Sequence, residues 1–258
     1  MESLKVKTIN DFVSAGEKPE ILFWVGSAGS FDERAKKITR AFVKILNKAN
    51  INFAVLGEQE SSSGDAAKRA GNEFLFQMQA LMNIEILNSY DITNIVTTCP
   101  HSYNTLKNEY SDLGGNYKVT HHTEFISDLI NNGKLNLTTN FNYKKITYHD
   151  PCYLGRGNDI YESPRDLIAN LNIDFVEMPR NKRKSFCCGA GGAQMFKEAE
   201  NGKFEINIIR TEEALKTGAD VIATGCPFCN TMMTDGVKNI SEGQAQVKDI
   251  AELIAECI

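Results

Sequence analysis

The sequence contains no long apolar segment. The longest apolar run in its early part covers residues 21–25, whereas a helix needs about 20 residues to cross a bilayer. No apolar stretch of signal-peptide length follows Met1, so a secretory leader is not expected. These absences predict a cytoplasmic protein that does not insert directly into a membrane.

Excess positive charge and nucleotide-binding signatures are missing as well. Lys and Arg together number 28 against 33 Asp and Glu, which gives a net charge of −5. An acidic chain lacks the electrostatic footprint of a general nucleic-acid-binding protein, so we expect no nucleic-acid partner. The Gly-x-Gly-x-x-Gly fingerprint of dinucleotide-binding proteins is also absent.

The overall composition is that of an ordinary folded protein. Hydrophobic residues make up 42% of the chain and charged residues 24%, which is enough apolar surface to offset chain entropy. At roughly 150 residues per domain, the 258 residues suffice for one large or two small domains. Seven cysteines are too few for a small disulfide-stapled scaffold. In a reducing cytoplasm, grouped cysteines indicate metal or redox chemistry.

Strand-like and helix-like segments alternate along the chain. Strand patterns cover residues 20–26, 51–57, 94–99, 146–149, 174–178 and 221–224, and helical patterns cover residues 31–48, 66–87, 204–217, 227–237 and the segment from Ile250. Such alternation is typical of parallel sheets covered by helices. We therefore predict an α/β fold built of Rossmann-like lobes.

An internal repeat indicates two such lobes. Residues 94–100 resemble residues 220–227, and their cysteines are offset by 226 − 99 = 127 positions. Residues 119–130 resemble residues 247–258 at an offset of 128, so the chain reads as a duplication. The polar stretch at residues 131–145, with five Asn, is interpreted as an interdomain linker or a surface loop. We predict domains at residues 1–138 and 139–258.

The two halves differ at their cysteines. The second half reads Cys-x34-Cys-Cys-x37-Cys-x2-Cys, and the first reads Ser-x34-Ser-Ser-x35-Cys-x2-Ser. Four serines thus stand where the repeat predicts cysteine, and Cys99 alone remains of the first set. The substituted positions are Ser27, Ser62, Ser63 and Ser102. We predict that the first half carries a degenerate site.

The second half supplies five thiols, each predicted just beyond a strand or at the start of a helix. They are Cys152, Cys187, Cys188, Cys226 and Cys229. Because the carboxyl ends of parallel strands face one crevice, these thiols are expected to converge. Five thiolates exceed the four ligands of tetrahedral zinc, and soft thiolates at this density suit an iron–sulfur cluster.

Other readings of these cysteines stay open at this point. A Cys-x2-Cys element could be a redox dithiol, the adjacent pair Cys187 and Cys188 could be small buried side chains, and four of the thiols could hold a structural zinc. Cys257 lies outside the pattern and is expected to be structural. His149, three residues before Cys152, is either a proton-transfer group or a hydrogen-bonded structural histidine.

Several of these stretches resemble the cysteine-rich CCG-domain family. The resemblance rests on Phe23-Trp-Val-Gly-Ser-Ala-Gly-Ser30, Cys99-Pro-His-Ser102, His149-Asp-Pro-Cys-Tyr-Leu-Gly-Arg156, Phe186-Cys-Cys-Gly-Ala-Gly-Gly192 and Gly225-Cys-Pro-Phe-Cys229. The family includes a cluster-binding subunit of heterodisulfide reductase, the iron–sulfur subunit of glycolate oxidase and lactate-utilisation iron–sulfur proteins. Its members usually carry cysteine where this chain has Ser27, Ser62, Ser63 and Ser102.

The resemblance implies one 4Fe–4S cluster, of cubane or non-cubane form, on the five cysteines of the second half. It further implies an electron-transfer subunit that works with other oxidoreductase subunits, either iron–sulfur or flavin proteins. Oxidation of lactate, glycolate or a similar organic acid, with electrons passed toward quinone, is the function that it suggests. The alternatives are disulfide reduction at the cluster, as in heterodisulfide reductase, and a non-redox zinc-binding module.

Overall fold

Two parallel β-sheets, each covered by helices, form the protein. The computed structural model describes residues 4–138, 143–198, 201–240, 243 and 245–258. Within them, one sheet has five strands and the other has four, and every strand pair runs parallel. The predicted α/β class with two lobes is therefore confirmed.

The first lobe contains the five-stranded sheet. Its elements are β1 (Lys7–Thr8), α1 (Ile9–Ala15), β2 (Ile21–Trp24), α2 (Gly26–Phe31), α3 (Ala35–Lys48), β3 (Phe53–Val55), α4 (Asp65–Arg69), α5 (Glu73–Ser89), β4 (Asn94–Thr97), α6 (Pro100–Asn104), β5 (Lys118–His121) and α7 (His122–Asn131).

The second lobe contains the four-stranded sheet. Its elements are β6 (Lys145–His149), α8 (Gly155–Asn158), α9 (Glu162–Ala169), β7 (Asp174–Phe175), α10 (Ile206–Leu215), β8 (Val221–Thr224), α11 (Pro227–Ile240), β9 (Gln246–Asp249) and α12 (Ile250–Glu256).

The topology reproduces the internal repeat. The strand orders are β1-β3-β2-β4-β5 and β7-β6-β8-β9, so the two sheets match once the extra edge strand β1 is removed. Trp24 pairs with Thr97 in the first sheet, and His149 pairs with Thr224 in the second. Cys99 and Cys226 each follow two residues after these threonines (99 − 97 = 226 − 224 = 2). The two lobes thus present equivalent positions at equivalent strand ends.

At two places the structure differs from the expectation for local reasons. The helix expected at residues 66–87 is divided into α4 and α5, because Gly71 adopts φ +85° and Asn72 accepts a hydrogen bond from the amide of Leu75. Strand β9 was not expected, since Val247 is the only apolar residue among its four residues, which gives no hydrophobic pattern to recognise.

The segment expected to link the domains joins α7 to β6. Helix α7 ends at Asn131 and strand β6 begins at Lys145. Residues 139–142 of this stretch lie outside the described residues. The division into domains at residues 138 and 139 remains a prediction.

The lobes share one hydrophobic core because their helices pack across the division. Helix α12 packs on α3, and α7 packs on α9, so each lobe's last helix covers a helix of the other lobe. The buried ring of Phe42 contacts Phe23 at 5.0 Å between centroids, and the same core includes Tyr148 and Ile254. Burial of such side chains is the dominant stabilising term.

Phe42→Ala should lower the free energy of unfolding of the whole chain by about 3–5 kcal/mol, because it opens a cavity in the core that both lobes share. Phe74→Ala is the matched control: Phe74 is 76% exposed, so its loss should change stability by roughly 0.5 kcal/mol or less. Urea denaturation followed by circular dichroism measures both. Equal effects of the two substitutions would contradict the shared core.

Candidate metal centre

The five predicted thiols of the second lobe lie together. Cys188 Sγ and Cys229 Sγ are 3.3 Å apart. Cys152 and Cys187 shift each other's pKa, as do Cys187 and Cys188, and Cys226 and Cys229. The five thiols are therefore neighbours of one another. Residues up to 77 positions apart (229 − 152) meet at one place.

Strand ends explain this convergence. Cys152 follows β6 after Pro151, and Cys226 follows β8. Because β6 and β8 are neighbouring parallel strands, both cysteines emerge at the same sheet edge. Cys229 lies in the first turn of α11, which begins at Pro227, and the fixed φ of proline suits the first helical position.

Backbone amides point at the sulfurs. The Gly189 N–H donates to Cys187 Sγ at 3.2 Å, and the amide of Ala190 bonds Cys188. The amides of Phe228 and Cys229 bond the Cys226 sulfur. Gly189 has φ +94°, a conformation that only glycine adopts without strain. Gly189 thus brings its backbone N–H group to the sulfur of Cys187.

The thiols have unequal proton affinities. Hydrogen bonds from the thiols of Cys152 and Cys188 lower the pKa of Cys187, and the bond with Cys187 raises the pKa of Cys152. Burial raises the pKa of Cys226, but the hydrogen bond from Cys229 and the charge of His101 outweigh it, so its pKa is lowered. Thiolate, the form that binds metal, is thus favoured at two of the five positions before a metal arrives.

An apolar wall encloses most of the site. Cys188, Cys226 and Cys229 are buried, whereas Cys152 and Cys187 are half-buried. Ala190, Met195, Phe228 and Met232 pack around the buried thiols. Such a shell controls water access and the local dielectric around a metal group. The site thus combines five thiols, backbone amides that point at sulfur and apolar surroundings. These features together fit an iron–sulfur cluster.

A histidine also reaches the thiols. A ring nitrogen of His149, Cys188 Sγ and Cys229 Sγ all lie within 4.8 Å of one another. Arg210 Nε donates to His149 Nδ1 at 3.0 Å, and burial together with the charge of Arg210 lowers the pKa of His149 to about 3. The sequence suggested either a proton-transfer or a structural role for His149 and gave none to Arg210. Arg210 lies four positions after Ile206 on α10 and thus on the same face of the helix. A charged residue on this face was the sequence signal that could have indicated a role for Arg210.

The degenerate residues of the first lobe face the thiol site. Cys99 and the serines of the first lobe line a cavity of about 50 Å³, a volume that admits one or two water molecules. Its other wall comes from the second lobe, from Ala190, Ala193, Met195, Phe196 and Phe228. Cys257 is buried in the shared core instead.

A buried ion pair at this cavity was not recognised in the sequence. His101 Nδ1 donates to Asp65 Oδ2 at 2.8 Å, and Asp65 also accepts from Arg69 Nε at 3.1 Å. Burial lowers the pKa of His101, but its bond to Asp65 and the negative charges of Cys226 and Asp65 outweigh this, so its pKa is raised. His101 and Asp65 are 36 residues apart, and no local pattern links them.

The two lobes correspond to two copies of a cysteine-rich domain. The family model for the cysteine-rich CCG domain matches residues 21–107 and 146–234, that is, both lobes. The chain belongs to this cysteine-rich domain family, as the motifs predicted.

Its curated relatives are named as iron–sulfur and electron-transfer proteins. The probable iron-sulfur-binding oxidoreductase FadF of Bacillus subtilis is 44% identical over 98% of this chain and 36% of that protein. The EtfAB:quinone oxidoreductase of Syntrophomonas wolfei is 41% identical over 95% of this chain and 35% of its own length. A subunit of the dihydromethanophenazine:CoB–CoM heterodisulfide reductase of Methanosarcina barkeri is 32% identical over 95% of this chain and 61% of that subunit.

The chain therefore spans between about a third and three-fifths of the length of these relatives. Among solved structures, the glutamate racemase of Aquifex pyrophilus aligns with 92% of this chain and 81% of its own at 17% identity, with a TM-score of 0.38, a likeness too weak to bear on function. Across the part of the chain that the structure describes, no helix combines the length and apolarity needed to cross a membrane.

Cys188→Ala should lower the iron bound per chain after reconstitution, because Cys188 is one of the five neighbouring thiols. Cys257→Ala is the control, since Cys257 is equally buried but lies in the hydrophobic core. Iron and acid-labile sulfide analysis of both variants measures the effect. Wild-type iron content in Cys188→Ala would remove Cys188 from the site.

Asp65→Asn should lower the pKa of His101, because the variant loses the carboxylate that favours the imidazolium. Titration of the metal-free protein, followed by NMR of the His101 ring, measures the pKa in both forms. The asparagine side chain keeps a hydrogen-bond acceptor in place, so the comparison isolates the charge. An unchanged pKa would show that Asp65 does not hold the proton on His101.

Proposed function

We propose that this chain binds one 4Fe–4S cluster through Cys152, Cys187, Cys188, Cys226 and Cys229 and passes electrons within an oxidoreductase complex. The observation that carries the proposal is the meeting of five thiols at one sheet edge. The chain's residues ligate, bury and position the cluster, while the iron supplies the electron chemistry. Cys152 and Cys187 are the half-buried thiols. A partner protein exchanges electrons with the cluster on their side of the site.

The names of the relatives support the same role. They include an iron-sulfur-binding oxidoreductase and a quinone oxidoreductase. We infer that iron–sulfur or flavin proteins are the immediate partners and that quinone is the eventual acceptor. Oxidation of lactate, glycolate or a similar organic acid is the finer proposal for the source of the electrons. It rests on the family resemblance in the sequence.

The first lobe is proposed to hold no cluster of its own. Serine hydroxyls replace four of its five thiols, and a neutral oxygen is a poor ligand for iron–sulfur clusters, which are bound through soft thiolate sulfur. Ser63 and Ser102 instead contact each other at 3.5 Å between hydroxyl oxygens, and Ser62 accepts from the amide of Gly64. The lobe then serves as scaffold and as the second wall of the cavity beside Cys226.

A second candidate is disulfide reduction at the cluster. It is favoured by the relative named as a heterodisulfide reductase component and by the cavity that meets the thiol site. The cavity volume of about 50 Å³ argues against it, because ligand sites for small molecules have volumes of about 300 Å³ or more. Electron transfer is therefore the better-supported function.

Anaerobic purification with an absorption spectrum and with iron, sulfide and zinc analysis tests the proposal. We expect about four irons and four sulfides per chain, a broad visible absorption that dithionite bleaches, and reoxidation by a soluble quinone analogue. A colourless protein with one zinc would instead establish the zinc-binding module. A spectrum that changes only when a disulfide substrate is added would favour the second candidate.

Restoring cysteine at positions 27, 62, 63 and 102 tests the proposal for the first lobe. If its scaffold still matches that of the second lobe, the fourfold variant should bind more iron per chain than the wild type. The matched control carries alanine at the same four positions and should keep the wild-type iron content. No gain in the cysteine variant would mean that the cavity no longer accommodates a cluster.

A further inference from the structure

His149 lies close enough to the thiols to be considered as a metal ligand beside the cysteines. Its ring nitrogen is within 4.8 Å of Cys188 Sγ and Cys229 Sγ, and two cysteines with one histidine make a familiar zinc-ligand set. The ring is fully buried at the end of β6. Whether it binds metal depends on which nitrogen carries the proton.

Arg210 decides the position of that proton. A guanidinium has only donors, so its Nε–H group, 3.0 Å from His149 Nδ1, requires that Nδ1 accept. A ring whose Nδ1 accepts is not the imidazolium, in which both nitrogens donate, and its single proton is therefore on Nε2. Nε2 is therefore the ring nitrogen that donates, and Nδ1 is already engaged by Arg210.

The side chain of Arg210 is held in this orientation by its other hydrogen bonds. Its side chain is fully buried, and NH1 donates to the Arg180 carbonyl and to Glu213, both at 2.9 Å. Although burial lowers its pKa, an arginine stays charged in proteins. Removing any one of these bonds would leave a buried polar group without a partner, which is costly.

Helix packing brings the arginine to this depth. Helix α10 lies against α11 at Gly236, where an added Cβ would stand 2.1 Å from Thr211 Oγ1. Thr211 is the next residue after Arg210. The absence of a side chain at Gly236 allows α10 to approach α11 closely, and from α10 Arg210 reaches His149 at the end of β6.

The first lobe offers an independent comparison. By register, the equivalent of His149 is Trp24, since His149 pairs with Thr224 as Trp24 pairs with Thr97. An indole Nε1–H group can only donate. This nitrogen of Trp24 is buried and has no hydrogen-bond partner within the described ranges. The same place in both lobes thus presents an N–H donor, and in the first lobe that place cannot supply a ligand.

We propose that His149 is a hydrogen-bond donor to the cluster sulfurs at Cys188 and Cys229 and not a metal ligand, and that Arg210 is the positioning residue that fixes its tautomer. The inference rests on the proposed cluster. Donors to cluster sulfurs stabilise the reduced, more negative state and raise the reduction potential. His149 would thereby set the potential of the cluster without changing how many irons are bound.

Two substitutions of His149 test the donor role in the reconstituted chain. His149→Phe removes the N–H group and should shift the reduction potential to a more negative value at unchanged iron content. His149→Gln places an amide N–H group near the former Nε2 and should restore most of the potential. His122→Gln is the control: both ring nitrogens of His122 are engaged by His121 and Asp249, so the potential should stay at the wild-type value.

Spectroscopy of the wild-type chain separates donor from ligand even if the phenylalanine variant fails to fold. With ¹⁵N-labelled histidine, electron–nuclear double resonance should show an exchangeable proton near the cluster and only weak nitrogen coupling. Strong nitrogen coupling, or loss of iron in both His149 variants, would overturn the proposal, as would a potential that does not move in His149→Phe. A wild-type chain that binds no iron would overturn the proposed function itself, and this inference with it.

Discussion

The parallel pairing of β6 with β8 is the constraint on which the site depends. It places the end of β6, with His149, beside the end of β8, with Thr224. The loops that follow these ends carry Cys152 and Cys226. If the pairing slipped by one residue, every side chain along the strand would face the opposite side of the sheet, and the histidine would leave the thiols. The positions of these thiols are therefore set by backbone hydrogen bonds of the sheet.

Duplication makes the same constraint available twice, and the two copies use it differently. Both lobes keep the strand order, the two-residue step from the last paired threonine to the cysteine, and a nitrogen-bearing side chain at the neighbouring strand end. The second lobe surrounds this frame with five thiols, whereas the first surrounds it with hydroxyls and the His101–Asp65 pair. Because the lobes share one core and pack helices α7 and α12 across their division, the first lobe contributes to the fold although serine occupies four of its five equivalent positions.

The sequence alone predicted the features that repeat along the chain or that show a strong hydrophobic periodicity. Alternation predicted most strands, and strand β8 was predicted with its observed bounds, Val221–Thr224. The repeat correctly indicated two equivalent lobes. The gathering of the five thiols followed from parallel-strand geometry alone. Strand β9 was missed, because Val247 is its only apolar residue, whereas β8 of the same length is a buried and mostly apolar run.

What the sequence could not supply is pairing between polar side chains that are distant along the chain. Arg210 bonds a histidine 61 positions away, and His101 bonds a carboxylate 36 positions away. Neither bond follows from periodicity, since each depends on how closely two helices or loops approach. Yet these bonds determine the proton positions around the sulfurs. The set of cysteines defines which metal group a site can hold, whereas the buried arginine defines the tautomer of the neighbouring histidine. With Nδ1 occupied by the arginine, the ring can donate a hydrogen bond through Nε2 but has no lone pair free for iron.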